Sequence, residues 1–90
     1  MESFFTYIAF YRDDTVIDIG VTVDLERRFR LLNQIHCKYD QQSCKLVYFE
    51  EFMESSKATK RENELLELPK KKLKQLVEEA NPMFVNLLKI

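Results

Sequence analysis

The chain holds a single glycine, Gly20, inside the segment Asp18-Ile19-Gly20-Val21-Thr22-Val23-Asp24-Leu25-Glu26-Arg27-Arg28-Phe29. Glycine is the residue of choice where the backbone takes a positive φ or where another group must approach it closely. The segment reads as the end of a strand, a bend at Gly20, and an acid, Asp24, that caps a helix opening with paired arginines. Backbone N–H groups and a planar, permanently charged guanidinium then converge on one place, an arrangement suited to a phosphate.

The flanking residues set the order of elements. Residues 4–12 are aromatic and β-rich, and Arg12-Asp13-Asp14-Thr15 is suited to a hairpin turn. Residues 16–22 continue as a second strand, with Ile17, Ile19, Val21 and Val23 on one face and Val16, Asp18, Gly20 and Thr22 on the other. Leu25, Phe29 and Leu32 follow Asp24 at helical spacing, so a helix is expected to about residue 35. Residues 37–44 read as a loop. A third strand spans 45–52, with Leu46, Tyr48 and Phe52 on one side and Val47 and Phe49 on the other. Ser55 or Ser56 is expected to cap a second helix with an apolar stripe of Ala58, Leu65 and Leu66. Pro69 suits the first turn of a third helix packing through Leu73, Leu76, Val77 and Ala80, which Asn81-Pro82 ends. Phe84, Val85, Leu87 and Leu88 form a tail that folds back on the core. The fold class is α+β: a small three-stranded, mostly antiparallel sheet flanked by helices, in the order β-β-α-β-α-α, as one domain over residues 1–90.

Composition narrows the function classes. A chain of 90 residues with 46 % hydrophobic and 32 % charged residues is an ordinary small globular protein, and one glycine with two prolines excludes a flexible linker. The formal net charge of −1 argues against bulk attraction to nucleic acid, while leaving room for a local basic patch. Cys37 and Cys44 are too few for a disulfide framework, and His36 beside Cys37 lacks further ligands for a zinc site. No signal peptide or membrane span is read, so the expectation is a cytoplasmic protein without a membrane partner.

Three motifs then fall into register: Tyr7-Ile8 in the first strand, Asp18-Ile19-Gly20 eleven positions later, and Arg28 ten positions further on. Lys45-Leu46-Val47-Tyr48-Phe49-Glu50-Glu51-Phe52 leads into Ala58-Thr59-Lys60-Arg61-Glu62-Asn63-Glu64-Leu65, and Asn81-Pro82 closes the last helix. This pattern resembles the GIY-YIG endonuclease superfamily, and its small single-domain bacterial branch most of all. The resemblance implies metal-dependent hydrolysis of phosphodiester bonds in nucleic acid, DNA above all, with magnesium or manganese as the divalent metal. Tyr7 matches the first tyrosine of the family, Gly20 the glycine of the second motif, Arg28 the arginine and Glu62 the metal-binding glutamate. Arg27, Lys38, Lys60 and Arg61 stand as further phosphate contacts.

The chain departs from the family pattern at four places. Asp18 stands at the position of the second tyrosine, replacing a neutral phenol with a carboxylate that only accepts hydrogen bonds. Leu32 and Leu66 stand where relatives carry a histidine and a lysine, and Asp40-Gln41-Gln42-Ser43-Cys44 lacks the arginines of the related loop. Two functions follow from the same fold. One is a nuclease with an altered site, in its strongest form with Asp18 as a second carboxylate for the metal. The other is a catalytically silent module that binds nucleic acid or a protein partner. A third, an interaction protein without a nucleic-acid role, would use an exposed apolar patch around Phe84 and the tail. The plainer alternatives are a packing role for Tyr7, an i,i+4 ion pair of Arg28 with Asp24, and a solvated Glu62.

Overall fold

The computed structural model describes residues 2–36 and 44–88. Its elements are β1 (Phe4–Tyr11), β2 (Val16–Thr22), α1 (Leu25–His36), β3 (Cys44–Phe52), α2 (Ser55–Glu67) and α3 (Lys70–Ala80). The strands form one antiparallel sheet in the order β2-β1-β3, so the first strand lies in the middle. Of the loop expected at 37–44, residues 37–43, with Lys38 and Cys37, lie outside the described residues, and Cys44 opens β3. No described helix is long and apolar enough to cross a membrane.

The central position explains the composition of β1. Thr6, Tyr7, Ile8, Ala9 and Phe10 are all fully buried, which requires cover on both faces of the sheet. On one face Ile8, Phe10 and Val47 pack with Leu65 of α2 and with Leu73 and Val77 of α3. On the other, Tyr7, Ala9 and Leu46 pack with Phe29 and Leu32 of α1. Thr6 is the one polar side chain in this row, and its hydroxyl donates to the Ala58 carbonyl of α2 at 2.8 Å, so the buried O–H is satisfied.

Two bulges correct the strand faces expected from strict alternation. Ala9 pairs with Asp18 but Phe10 pairs with Val16, which leaves Ile17 as an extra residue in β2. Val16 therefore joins the α2–α3 core with Ile19, and Ile17 joins the α1 core. Likewise Ile8 pairs with Tyr48 and Ala9 with Leu46, making Val47 the extra residue of β3. Leu46 and Tyr48, expected on one side, pack on opposite faces. An extra residue shifts the two-residue period by one position, and sequence alternation alone does not reveal where it falls.

The helix ends follow local chemistry, with adjustments. Asp24 caps α1 as expected, its Oδ1 accepting from the Arg27 N–H at 3.1 Å. Neither Ser55 nor Ser56 caps α2. Both lie inside the helix, and Glu54 holds the cap position without a side-chain hydrogen bond. Leu66 is 57 % exposed, so the α2 stripe narrows to Ala58 and Leu65, and Ala80 is exposed at the end of α3. The hairpin turn between β1 and β2 places Asp14 at φ 64°, in the left-handed region, with its N–H donating to the Tyr11 carbonyl at 2.9 Å. Aspartate tolerates that conformation better than most residues.

The tail does fold back. Phe84 stacks edge-to-face on Phe10 at 5.6 Å, Leu88 packs on the α1 core, and the Leu87 N–H donates to the Leu46 carbonyl at 2.8 Å. Val85 and Leu87 themselves stay largely exposed. Asn81 organises the return. Its buried side-chain amide donates to the carbonyls of Val47 (3.1 Å) and Val85 (2.9 Å), and its Oδ1 accepts from the Val85 N–H at 3.2 Å. One amide thus satisfies the carbonyl of the β3 bulge residue and ties the tail to it. Replacement Asn81→Leu leaves these groups buried or half-buried without partners, and urea unfolding should record a loss of about 2–4 kcal/mol.

Candidate active site

The site is assembled on the α1 face of the sheet by the pairing of β1 with β2. Residues opposite each other in an antiparallel pair project to the same side. Tyr7 faces Gly20 and Ala9 faces Asp18, so Tyr7, Asp18 and Gly20 share the side covered by α1. The Tyr7 ring lies across Gly20. A Cβ at that position would stand 2.7 Å from the phenol oxygen and 2.9 Å from the adjoining ring carbon, distances that no side chain tolerates. Gly20 has no positive φ and makes no bend, contrary to the expectation of one. It lies inside β2, which runs on to Thr22. Its absent side chain, rather than its backbone freedom, is what the fold uses.

The phenol has neighbours on two sides. Its hydroxyl donates to Asp18 Oδ2 at 2.6 Å, a short charge-assisted hydrogen bond. Arg28 Nη1 approaches the same oxygen at 3.4 Å, with the guanidinium carbon 5.9 Å from the ring centroid. Phe29, the next residue on α1, meets the ring edge-to-face at 5.7 Å. Burial and the Asp18 carboxylate together push the Tyr7 pKa well above that of free tyrosine, and Arg28 only partly opposes them. The phenol therefore keeps its proton at neutral pH. Arg28 forms no ion pair with Asp24, since its side chain turns inward to Tyr7.

Glu62 is carried by a different element. It is half-buried on α2, four residues after Ala58 and three before Leu65, both buried against the sheet. This helix covers the face opposite Tyr7 and Asp18. Glu62 makes no hydrogen bond or ion pair with any described residue, so both of its oxygens are available. No group of three or more His, Cys, Asp or Glu able to hold a metal occurs among the described residues. Magnesium does not need such a cage: it binds through one or two carboxylates together with waters and substrate phosphates. A lone, half-buried and unpaired Glu62 fits that mode.

The remaining predicted contacts divide. Lys60 is exposed on α2. Arg61 is engaged by Glu50, at 2.7 Å from Nε, and by Glu64 at 3.3 Å, while Tyr48 donates to the same Glu50 oxygen. Arg27 lines an open groove of about 500 Å³, together with Arg30, Leu31 and Gln34 of α1, residues 22–24 and Arg28, the residue that also reaches the phenol. Arg30 and Gln34 escaped the sequence reading, although positions 27, 30 and 34 lie on one helix face.

The chain matches the GIY-YIG catalytic domain over residues 3–75. It belongs to the GIY-YIG family. A UPF0213 protein of Bacillus halodurans, solved in solution by NMR, is similar over nearly the whole length. It is 25 % identical, with 98 % of this chain and 96 % of the relative covered and a TM-score of 0.63. A search of curated proteins found no match. The β2-β1-β3 sheet with three helices is thus a GIY-YIG-like fold, and the family is one of nucleases.

The geometry makes two measurable statements. Gly20→Ala should destabilise the protein by roughly 1–3 kcal/mol through overpacking, and the penalty should shrink in a Tyr7→Leu background, as a double-mutant cycle by urea unfolding reports. For Tyr7 the raised folded pKa means that the fold favours the protonated phenol. This stabilisation is complete below the unfolded value, about 10, and is lost as pH rises through the folded pKa. Absorbance titration of the four tyrosines should show Tyr7 titrating last, after Tyr48, which burial and its bond to Glu50 also raise, and Asp18→Asn should bring the Tyr7 transition down.

Proposed function

We propose that this protein hydrolyses phosphodiester bonds of nucleic acid, DNA in the first place, as a single-domain cytoplasmic GIY-YIG nuclease with a rebuilt second motif. The observation that carries the reading is the Tyr7 hydroxyl held between Asp18 and Arg28. Arg28 neutralises charge that develops on the phosphoryl oxygens in the transition state. Tyr7 orients the guanidinium by accepting from Arg28 and offers a protonated hydroxyl, while Asp18 accepts the hydrogen bond that the phenol donates. Glu62 would hold the divalent cation, magnesium or manganese, which would supply Lewis acidity toward the phosphate. Asp18 is taken up by Tyr7, so this reading assigns the metal to Glu62 alone. Lys60 and Arg27 remain available to phosphates, whereas Arg61 is committed to Glu50.

A second reading rests on the same hydrogen bond. If the phenol must lose its proton to activate water, Asp18 silences the site and leaves a module that binds nucleic acid, or a protein partner, without turnover. Nicking assays on branched, single-stranded and duplex DNA with magnesium or manganese separate the two. Hydrolysis should occur and should fall by roughly 10²–10³ on Arg28→Ala, as for removal of a transition-state charge donor. It should also collapse on Glu62→Ala. Activity indifferent to Glu62→Ala, or none on any substrate, rejects the hydrolytic reading.

A further inference from the structure

Arginine is concentrated on one side of a chain whose net charge is −1. Arg27, Arg28 and Arg30 line the α1 groove, and Asp24 is the one carboxylate among its described lining residues. Asp24 is already engaged, with Oδ1 capping the Arg27 N–H. Two other cations are neutralised where they stand, Lys45 by Asp14 at 2.6 Å and Arg61 by Glu50 and Glu64. Arg27 and Arg30 make no side-chain hydrogen bond or ion pair with any described residue. An exposed pair of cations that no described residue neutralises, beside a third turned toward the reacting centre, calls for an anionic ligand with several charges in a row.

The helix supplies the spacing. Arg27, Arg30, Leu31 and Gln34 fall at i, i+3, i+4 and i+7, one face of α1. At 1.5 Å per residue this face extends about 10 Å, on the order of three nucleotides at 3.4 Å each along a duplex axis. Val23 and Leu31, each about half exposed, add apolar floor between the cations, suited to the sugar faces of a strand. Gln34 closes the far end with an amide that both donates and accepts.

We propose that this groove is the track of the nucleic-acid strand flanking the scissile phosphate, with Arg27 and Arg30 on consecutive backbone phosphates and Gln34 at the end of the track. The inference rests on the reading that Arg28 marks the reacting phosphate. It adds where the strand runs: along the outward face of α1, and not over the lysine-rich start of α3. Recognition is of the phosphodiester backbone, so sequence preference along the track is weak.

Fluorescence anisotropy with a labelled DNA hairpin, read across a salt series without divalent metal, tests the track independently of hydrolysis. Arg27→Gln with Arg30→Gln should weaken binding at least tenfold and reduce the slope of log affinity against log salt by about 2, roughly one for each phosphate no longer neutralised. Arg27→Lys with Arg30→Lys should restore most of that slope. Lys70→Gln, Lys71→Gln and Lys72→Gln together should leave it unchanged. Affinity and slope indifferent to the double glutamine variant, or a weakening found instead in the α3 lysine variant, overturns the track while leaving hydrolysis at Arg28 intact. Binding with the expected slope change but no cleavage on any substrate upholds the track and rejects the hydrolytic reading. Circular dichroism of each variant excludes unfolding as the cause.

Discussion

The contact on which the rest of this structure depends is the Tyr7 ring lying across Gly20. A fully buried phenol in the central strand needs room for its ring and a partner for its hydroxyl. The neighbouring strand provides both within three residues: Gly20 yields the space and Asp18 the acceptor. A hydrogen bond to a charged group contributes roughly 1.5–3 kcal/mol, so the pair steadies the β1–β2 register as well as the side chain. α1 then closes over the ring with Phe29 and Arg28, adjacent residues that meet its edge and its oxygen.

This arrangement ties chemistry to packing. The carboxylate that raises the Tyr7 pKa is also what anchors the ring, so proton affinity and position cannot be tuned separately. A tyrosine at position 18, as the family pattern has it, would bring a second neutral phenol to this region. Aspartate brings a fixed negative charge, which Arg28, the hydroxyl's other neighbour, partly offsets. The result is a compact acid–phenol–guanidinium cluster whose charges nearly cancel, opening onto a groove where the arginines beyond it are not cancelled.

The sequence carried the order and type of all six elements because each has a local signature. The strands are aromatic and β-branched, Asp24 caps α1, and Pro69 and Asn81-Pro82 bracket α3. It also carried the membership of the cluster. Tyr7, Asp18, Gly20 and Arg28 were singled out from spacing and resemblance, and β pairing with a one-turn helix start brings them together. It misassigned Val16, Ile17, Leu46 and Tyr48 to faces, because each bulge inverts the alternation beyond it and leaves no mark in composition. Arg61 looked like a free cation for the equivalent reason: Glu50, its partner, lies eleven residues away on another element.

By itself, then, the sequence determined which residues were available to the site and the elements that carry them, since capping, period and turn chemistry act over a few neighbouring residues. The meaning of the single glycine was settled only by the pairing of β2 with β1. From local sequence Gly20 suggested a bend, yet its backbone is ordinary strand, and the need for it comes from a ring thirteen residues earlier. The same holds for the charges. Which of the cations are neutralised and which stay open to a ligand depends on the packing of helices against the sheet, a long-range property that no local pattern encodes.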